Sequence, residues 1–151
     1  MSPGTSGSTR KTGYDLERFA RAQEPIFEAV RSELGEGAKA GHWMWFIFPQ
    51  IRGLGRSQMS VEFGISSLEE ARAYLAHPIL GPRLRECTRL VLSVKGSSIT
   101  EIFGYPDEMK FRSSMTLFAR ATSEDEVFAE ALQKYFSGIP DKLTLELLEN
   151  G

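Results

Sequence analysis

Two stretches of this chain carry side chains with chemistry to offer. The first is GHWMWFIFPQIRGLGRS, residues 41–57, which holds both tryptophans and one of the two histidines. A neutral imidazole such as His42 can act as acid, base or ligand near neutral pH. It opens an apolar run, however, where a histidine satisfied by one backbone carbonyl is the commoner case. Trp43 and Trp45 could stack on a flat ligand, as aromatics stack on bases. More often such residues fill a core, each indole N–H then needing an acceptor. Gln50 follows a proline and precedes a glycine-rich loop, so its amide can fix the loop or read the polar edge of a ligand. GLGRS, 53–57, could cradle an anion with backbone N–H groups, helped by Arg56 and Ser57. It lacks the strand–GxGxxG–helix context of a dinucleotide site and the GK[ST] of a phosphate loop, so a plain turn is the stronger reading.

The second stretch is PDEMKFRSSM, 106–115. At helical spacing Lys110, Ser113 and Ser114 share a face with Leu117, offering a point positive charge and two hydroxyls. That set suits phosphate or carboxylate. Serine and lysine also serve as nucleophile and base, but here the order is Lys-x-x-Ser, the reverse of SxxK. Two adjacent serines inside a helix cost some propensity, which argues for a purpose. Asp107 is a first-turn acid that can also pair with Lys110. His42, Asp107 and Ser113 make a triad only on paper, because no GxSxG elbow is present. His77, before Pro78, reads as a helix stop, and Cys87 as buried and inert. A lone cysteine excludes a disulfide framework and any CxxC site. No spacing of His, Cys, Asp and Glu resembles a metal site, so neither metal nor cofactor is expected.

The elements that must position these residues are mostly helices. Asp15 suits the cap of a first helix bearing Leu16, Phe19 and Ala20. Pro25 breaks it and opens a second helix with Ile26, Phe27, Val30 and Leu34, stopped at Gly35. Gln23 sits at the break, where its side chain can turn inward. GEGAKAG, 35–41, reads as a flexible connector. The apolar run Trp43 to Phe48, ended by Pro49, fits a buried helix of under two turns or a short buried strand. Ser67–Glu70, Ser98–Glu101 and Ser123–Glu126 each have the spacing of a capping box. Between the first two lies a helix opened at Gly81-Pro82, with Leu84, Cys87, Val91 and Val94 inward and Arg83, Arg85 and Arg89 facing water. Pro106 fits the first position of a helix to about Ala121, with Phe111, Met115 and Phe118 as its apolar face. An amphipathic helix stopped by Gly138 follows, then a last one capped by Asp141 with Leu143, Leu147 and Leu148.

The fold class expected is mainly α: about eight helices in a single domain over 14–151, with a buried aromatic central segment and a disordered tail over 1–13. With 151 residues, 41% apolar and 25% charged content and a net charge of −2, nothing pulls the chain globally toward nucleic acid or anionic membrane. The arginines at 83, 85 and 89 make a basic face that Glu86 weakens, so a nucleic-acid partner is not expected. The longest apolar run is far too short to span a bilayer, and no signal region is seen. The chain reads as cytoplasmic.

Several strings resemble a known family. AQ at 22–23, HWMWFIFPQ at 42–50, GLGRS at 53–57, YLAHPILGPRLREC at 74–87, FGYPDEMKFRSSMTLF at 103–118 and GIPDKLTLELL at 138–148 are similar to the bacterial domain of unknown function 1810. The resemblance runs from about Tyr14 to Leu148. It implies a compact, mainly helical fold and no mechanism. Some members carry a calpastatin label, but nothing in this chain resembles a disordered inhibitory repeat.

The functional expectation is a cleft with the 42–50 segment as one wall and the Lys110–Ser114 face as the other. Its ligand would be a small anionic metabolite or a nucleotide-like molecule, contacted by His42, Trp45, Gln50, Arg56, Ser57, Lys110, Ser113 and Ser114. The competing expectation is an interaction or regulatory module without chemistry.

Overall fold

Side-chain caps at Ser57, Ser67, Ser98 and Asp141 and glycines at 37 and 104 set several of the helix boundaries. The computed structural model describes residues 13–122 and 127–150, and among these are ten helices and one isolated bridge. Residues 1–12 of the expected tail and the 123–126 capping box lie outside the described residues.

α1 (Glu17–Gln23) and α2 (Phe27–Glu36) flank the turn at Pro25. Three boundary expectations fail here. Leu16 holds the N-cap position of α1 without a side-chain cap, and Asp15 pairs with Arg21 at 3.7 Å instead. Pro25 stays in the turn, and helical geometry resumes only after Ile26. Gly35 lies inside α2. The stop is Gly37, whose φ of 78° is left-handed and whose N–H reaches the carbonyls of Glu33 and Leu34. Stopping there lets Lys39 N–H donate to Ile102 O at 2.8 Å.

α3 (Met44–Ile47) resolves the aromatic run as a single helical turn, with Met44 and Ile47 buried and Trp45 and Phe46 half-buried. Ser57 caps α4 (Gln58–Glu62), and Ser67 caps α5 (Leu68–Ala76). The Ser67 box does not close. Glu70 Oε1 takes Ser66 N–H at 2.7 Å, one residue before the cap, while Oε2 takes Arg18 at 3.1 Å in a charge-assisted bond. α6 (Leu80–Ser93) begins before Gly81-Pro82, since His77 Nδ1 accepts from the N–H groups of Ile79 and Leu80 at 3.1 and 3.2 Å. His77 thus ends one helix and starts the next. α7 (Ile99–Phe103) carries a complete capping box. α8 (Asp107–Ala121) takes Pro106 as N-cap rather than first residue. α9 (Val127–Phe136) and α10 (Lys142–Asn150) follow, the last capped by Asp141, whose Oδ2 accepts from Thr144 N–H at 3.0 Å.

α8 is the axis of the molecule. It packs against α5, α7, α9 and α10, so both of the faces expected from its sequence are buried, the Ser113–Leu117 side included. Phe111 stands edge-on to Phe48 at 5.1 Å and stacks on Phe103 at 4.9 Å, which locks α3 and α7 onto α8. At the α1–α3 contact Gln23, 1% exposed, donates to Phe46 O at 2.7 Å and to the buried Tyr74 hydroxyl at 3.0 Å. Burial raises the Tyr74 phenol's pKa. The expected basic face on α6 is largely spent internally. Arg83 bonds Gln23 and Glu24 and covers Phe27, and Arg85 donates to Leu75 O, leaving Arg89 exposed.

Candidate functional site

The backbone after Pro49 is pinned before any side chain is considered. Ile65 N–H donates to Gln50 O at 2.8 Å and Arg52 N–H to Ile65 O at 2.7 Å, making a parallel bridge between Ile51 and Ile65. With its main chain so held, Gln50 lines a cavity of about 370 Å³ beside the first turns of α8. The residue is 9% exposed, and its side-chain Nε2 has no partner among the described residues. An unpaired buried donor costs roughly 1–3 kcal/mol, so such groups call for an explanation.

Lys110 and Trp45 form the adjoining wall. The Lys110 ammonium lies 4.0 Å from the Trp45 ring centroid, a cation–π contact of about 0.5–2 kcal/mol. It also meets Asp107 Oδ1 at 3.3 Å, while Asp107 Oδ2 takes the Lys39 ammonium at the shorter distance of 2.7 Å. Lys39 donates further to Gly41 O at 2.6 Å and lies 5.1 Å from the Trp43 ring. Asp107 is therefore shared between two lysines, and the better contact goes to Lys39, which does not line the cavity.

Two hydroxyls on the lining, Ser113 and Ser60, already donate to Met109 O at 3.1 Å and Ser57 O at 2.8 Å. They can only accept from a guest. Asp141 adds a carboxylate committed to capping α10. Ile51, Leu54 and Phe63 make the remaining wall apolar, and the exposed side chains of Tyr105, Met109 and Leu143 form the rim.

Trp45, Gln50, Lys110 and Ser113 thus meet around one hollow, although the two segments stand some sixty positions apart in the chain. The other expected site residues do not line it. His42 is exposed in the turn before α3 and is not part of the lining. Arg56 is exposed, and the Ser57 hydroxyl is spent on Ser60 N–H at 3.1 Å. Ser114 points into the core, fully buried with an unpartnered hydroxyl, because one residue further along a helix turns the side chain about 100°. Neither histidine reaches the cavity, and the pKa of the buried Cys87 thiol is pushed up to about 12 by burial, then by Glu86. Among the described residues no group of three or more His, Cys, Asp and Glu could hold a metal ion.

Sequence reasoning misses Glu33 and Lys39. Glu33 Oε1 accepts from Ala40 N–H at 2.8 Å, Gly41 N–H at 3.0 Å and Trp43 Nε1 at 2.8 Å. The connector expected to be flexible is thereby tied down, and Trp43 becomes a core residue with its indole N–H satisfied. Burial alone would raise the Glu33 pKa. The N–H groups of Gly41, Ala40 and Trp43 and the Lys39 charge outweigh it and hold the carboxyl below its ordinary range. The one signal in the string is a tryptophan N–H in need of an acceptor.

Residues 13–148 match the model of a family described as "Protein of unknown function (DUF1810)". The chain belongs to this family. Its structure is similar to the crystal structure of the conserved hypothetical protein Rv1873 from Mycobacterium tuberculosis, with a TM-score of 0.89 and 58% identity. The match covers 89% of this chain and 96% of that one. No curated protein matches the chain. The mainly helical architecture that the resemblance implied is therefore that of a DUF1810 protein. No helix among the described residues is long and apolar enough to cross a membrane.

Proposed function

We propose that this DUF1810 chain binds a small molecule in the hollow between the 42–50 segment and α8, the ligand presenting an oxygen acceptor to Gln50 and Lys110. The reading rests on one observation: a nine-tenths-buried amide with an unpaired Nε2 lines a cavity that a partly exposed ammonium also lines. Pockets of this size and mixed lining are typical of ligand sites. The cytoplasm is the proposed compartment, since a buried free thiol needs no oxidising environment.

A thermal-shift screen of nucleotides, phosphates and small carboxylates tests the proposal. At least one compound should raise the melting temperature of the wild-type protein, and Gln50→Leu and Lys110→Met should each erase that shift while remaining folded. A shift that both variants retain, or no shift with any compound, would overturn it.

A second reading is favoured by the rim. Tyr105, Met109 and Leu143 are exposed by 77%, 53% and 53%, and Ile139 by 57%. Ile139 and Leu143 share a neighbouring depression. Such a patch is where a protein partner would rest.

A further inference from the structure

We infer that the ligand is a monocarboxylate with an apolar body, and not a nucleotide or other phosphate. The inference rests on the cleft reading above and narrows it by charge and donor count. Among the described residues the charged side chains on the lining are Lys110 and Asp141, one of each sign. Behind them Lys39 and Asp107 pair at 2.7 Å and cancel. A phosphate monoester brings about −1.5 to −2 charges at neutral pH, and a nucleotide di- or triphosphate brings more. Lys110 could neutralise one of these, and Asp141 would repel the next.

The donors agree with the charges. A phosphate group has three terminal oxygens to satisfy, usually by clustered backbone N–H groups or arginines. Among the described residues no arginine lines the cavity. The first turn of α8 has few amides to lend, because Glu108 N–H goes to Gly104 O and the N–H groups of Met109 and Lys110 go to Pro106 O. The Ser60 and Ser113 hydroxyls donate elsewhere. What remains among the side chains inside the hollow is the Gln50 amide and the spare N–H groups of the ammonium, the Tyr105 hydroxyl standing out on the exposed rim. Those are two inner donor groups, which is what the two oxygens of one carboxylate need. Asp107 leaves Lys110 available for this role, since its closer partner is Lys39. The rest of the lining asks for hydrocarbon: Phe63, Leu54 and Ile51 inside, Met109 and Leu143 at the mouth.

The test follows the Gln50 side-chain amide in ¹⁵N-correlated NMR spectra of the full chain at pH 7. Phenylacetate, indole-3-acetate and octanoate are the carboxylate probes. Phenylacetamide, AMP and inorganic phosphate are the contrasts. At least one carboxylate should move the Gln50 amide signals with a Kd below about 1 mM, and Lys110→Met should weaken it tenfold or more. That variant keeps the hydrocarbon stem over Trp45, and the wild-type signals alone discriminate should it fold poorly. If AMP, phosphate or phenylacetamide binds at Gln50 as tightly as any carboxylate, the ligand class is wrong and the cleft reading stands. If no probe of either kind moves the Gln50 amide, both fall.

Discussion

Gln50 Nε2 and Ser114 Oγ are the two buried polar side-chain atoms without partners among the described residues, and their positions give them opposite meanings. Ser114 faces sealed core, so its hydroxyl is only a cost. Gln50 lines a hollow, so on the proposed reading a ligand's acceptor would recover its cost. Ser114→Ala should raise stability by about 1 kcal/mol and leave any probe's affinity unchanged. Gln50→Leu should raise stability by a similar amount and abolish binding. Urea denaturation alongside a titration separates the two; a Gln50→Leu protein less stable than wild type would show that the amide is structurally satisfied. Glu33 makes a different prediction, in pH. Its folded pKa lies below the ordinary 4.5, so the unfolded chain takes up its proton first as pH falls. The contribution is complete above the ordinary glutamate range and is lost as pH drops through the folded value. Glu33→Gln should therefore cost about 1–2 kcal/mol at pH 7, with the gap to wild type narrowing as the solution is acidified below the ordinary glutamate range. A gap independent of pH would mean the charge is irrelevant to the tie on Trp43.

At the scale of elements, glycines separate what local sequence can say from what only packing can. Gly35 and Gly37 look alike in the string, and the nearer one is the natural stop. The structure uses Gly37, with its positive φ, and leaves Gly35 in a helix with nothing within 4 Å of where a Cβ would stand. Gly35→Ala should accordingly stabilise by about 0.5–1 kcal/mol. Gly81 is the reverse case. It looks like a helix starter, yet a Cβ there would sit 2.1 Å from the Leu75 carbonyl oxygen, where α6 turns back on α5. Gly81→Ala should cost at least about 3 kcal/mol. Thermal melts of the pair check both signs. Ser57, Ser67, Ser98 and Asp141 are legible as caps because capping is local chemistry. Pro106 and Asp15 fall a residue or so from their expected places, Asp15 pairing with Arg21 in place of capping.

Over the whole molecule, helical periodicity is enough for the class and for a core centred on α8, but not for the burial of both faces of that helix. Lys110 and Ser113, and Trp45 and Gln50 opposite them, can be picked out from residue types that local preference does not explain, and they do meet around one hollow. His42 and Arg56 stand out in the string for their chemistry alone, and both lie exposed off the lining. Glu33 and Lys39 escape a reading of the string because their roles exist only once the connector folds back over Trp43. Proximity across the chain is what a string of residues does not encode locally.

The two indoles, two residues apart, end in unlike surroundings: Trp43 is 3% exposed with its N–H held by Glu33, while Trp45 lies half-buried on the hollow under an ammonium. The chain consequently comes with one silent chromophore and one responsive one. Emission changes provoked by a guest would originate at Trp45, and Trp43 would serve as an internal standard that reports only loss of the fold.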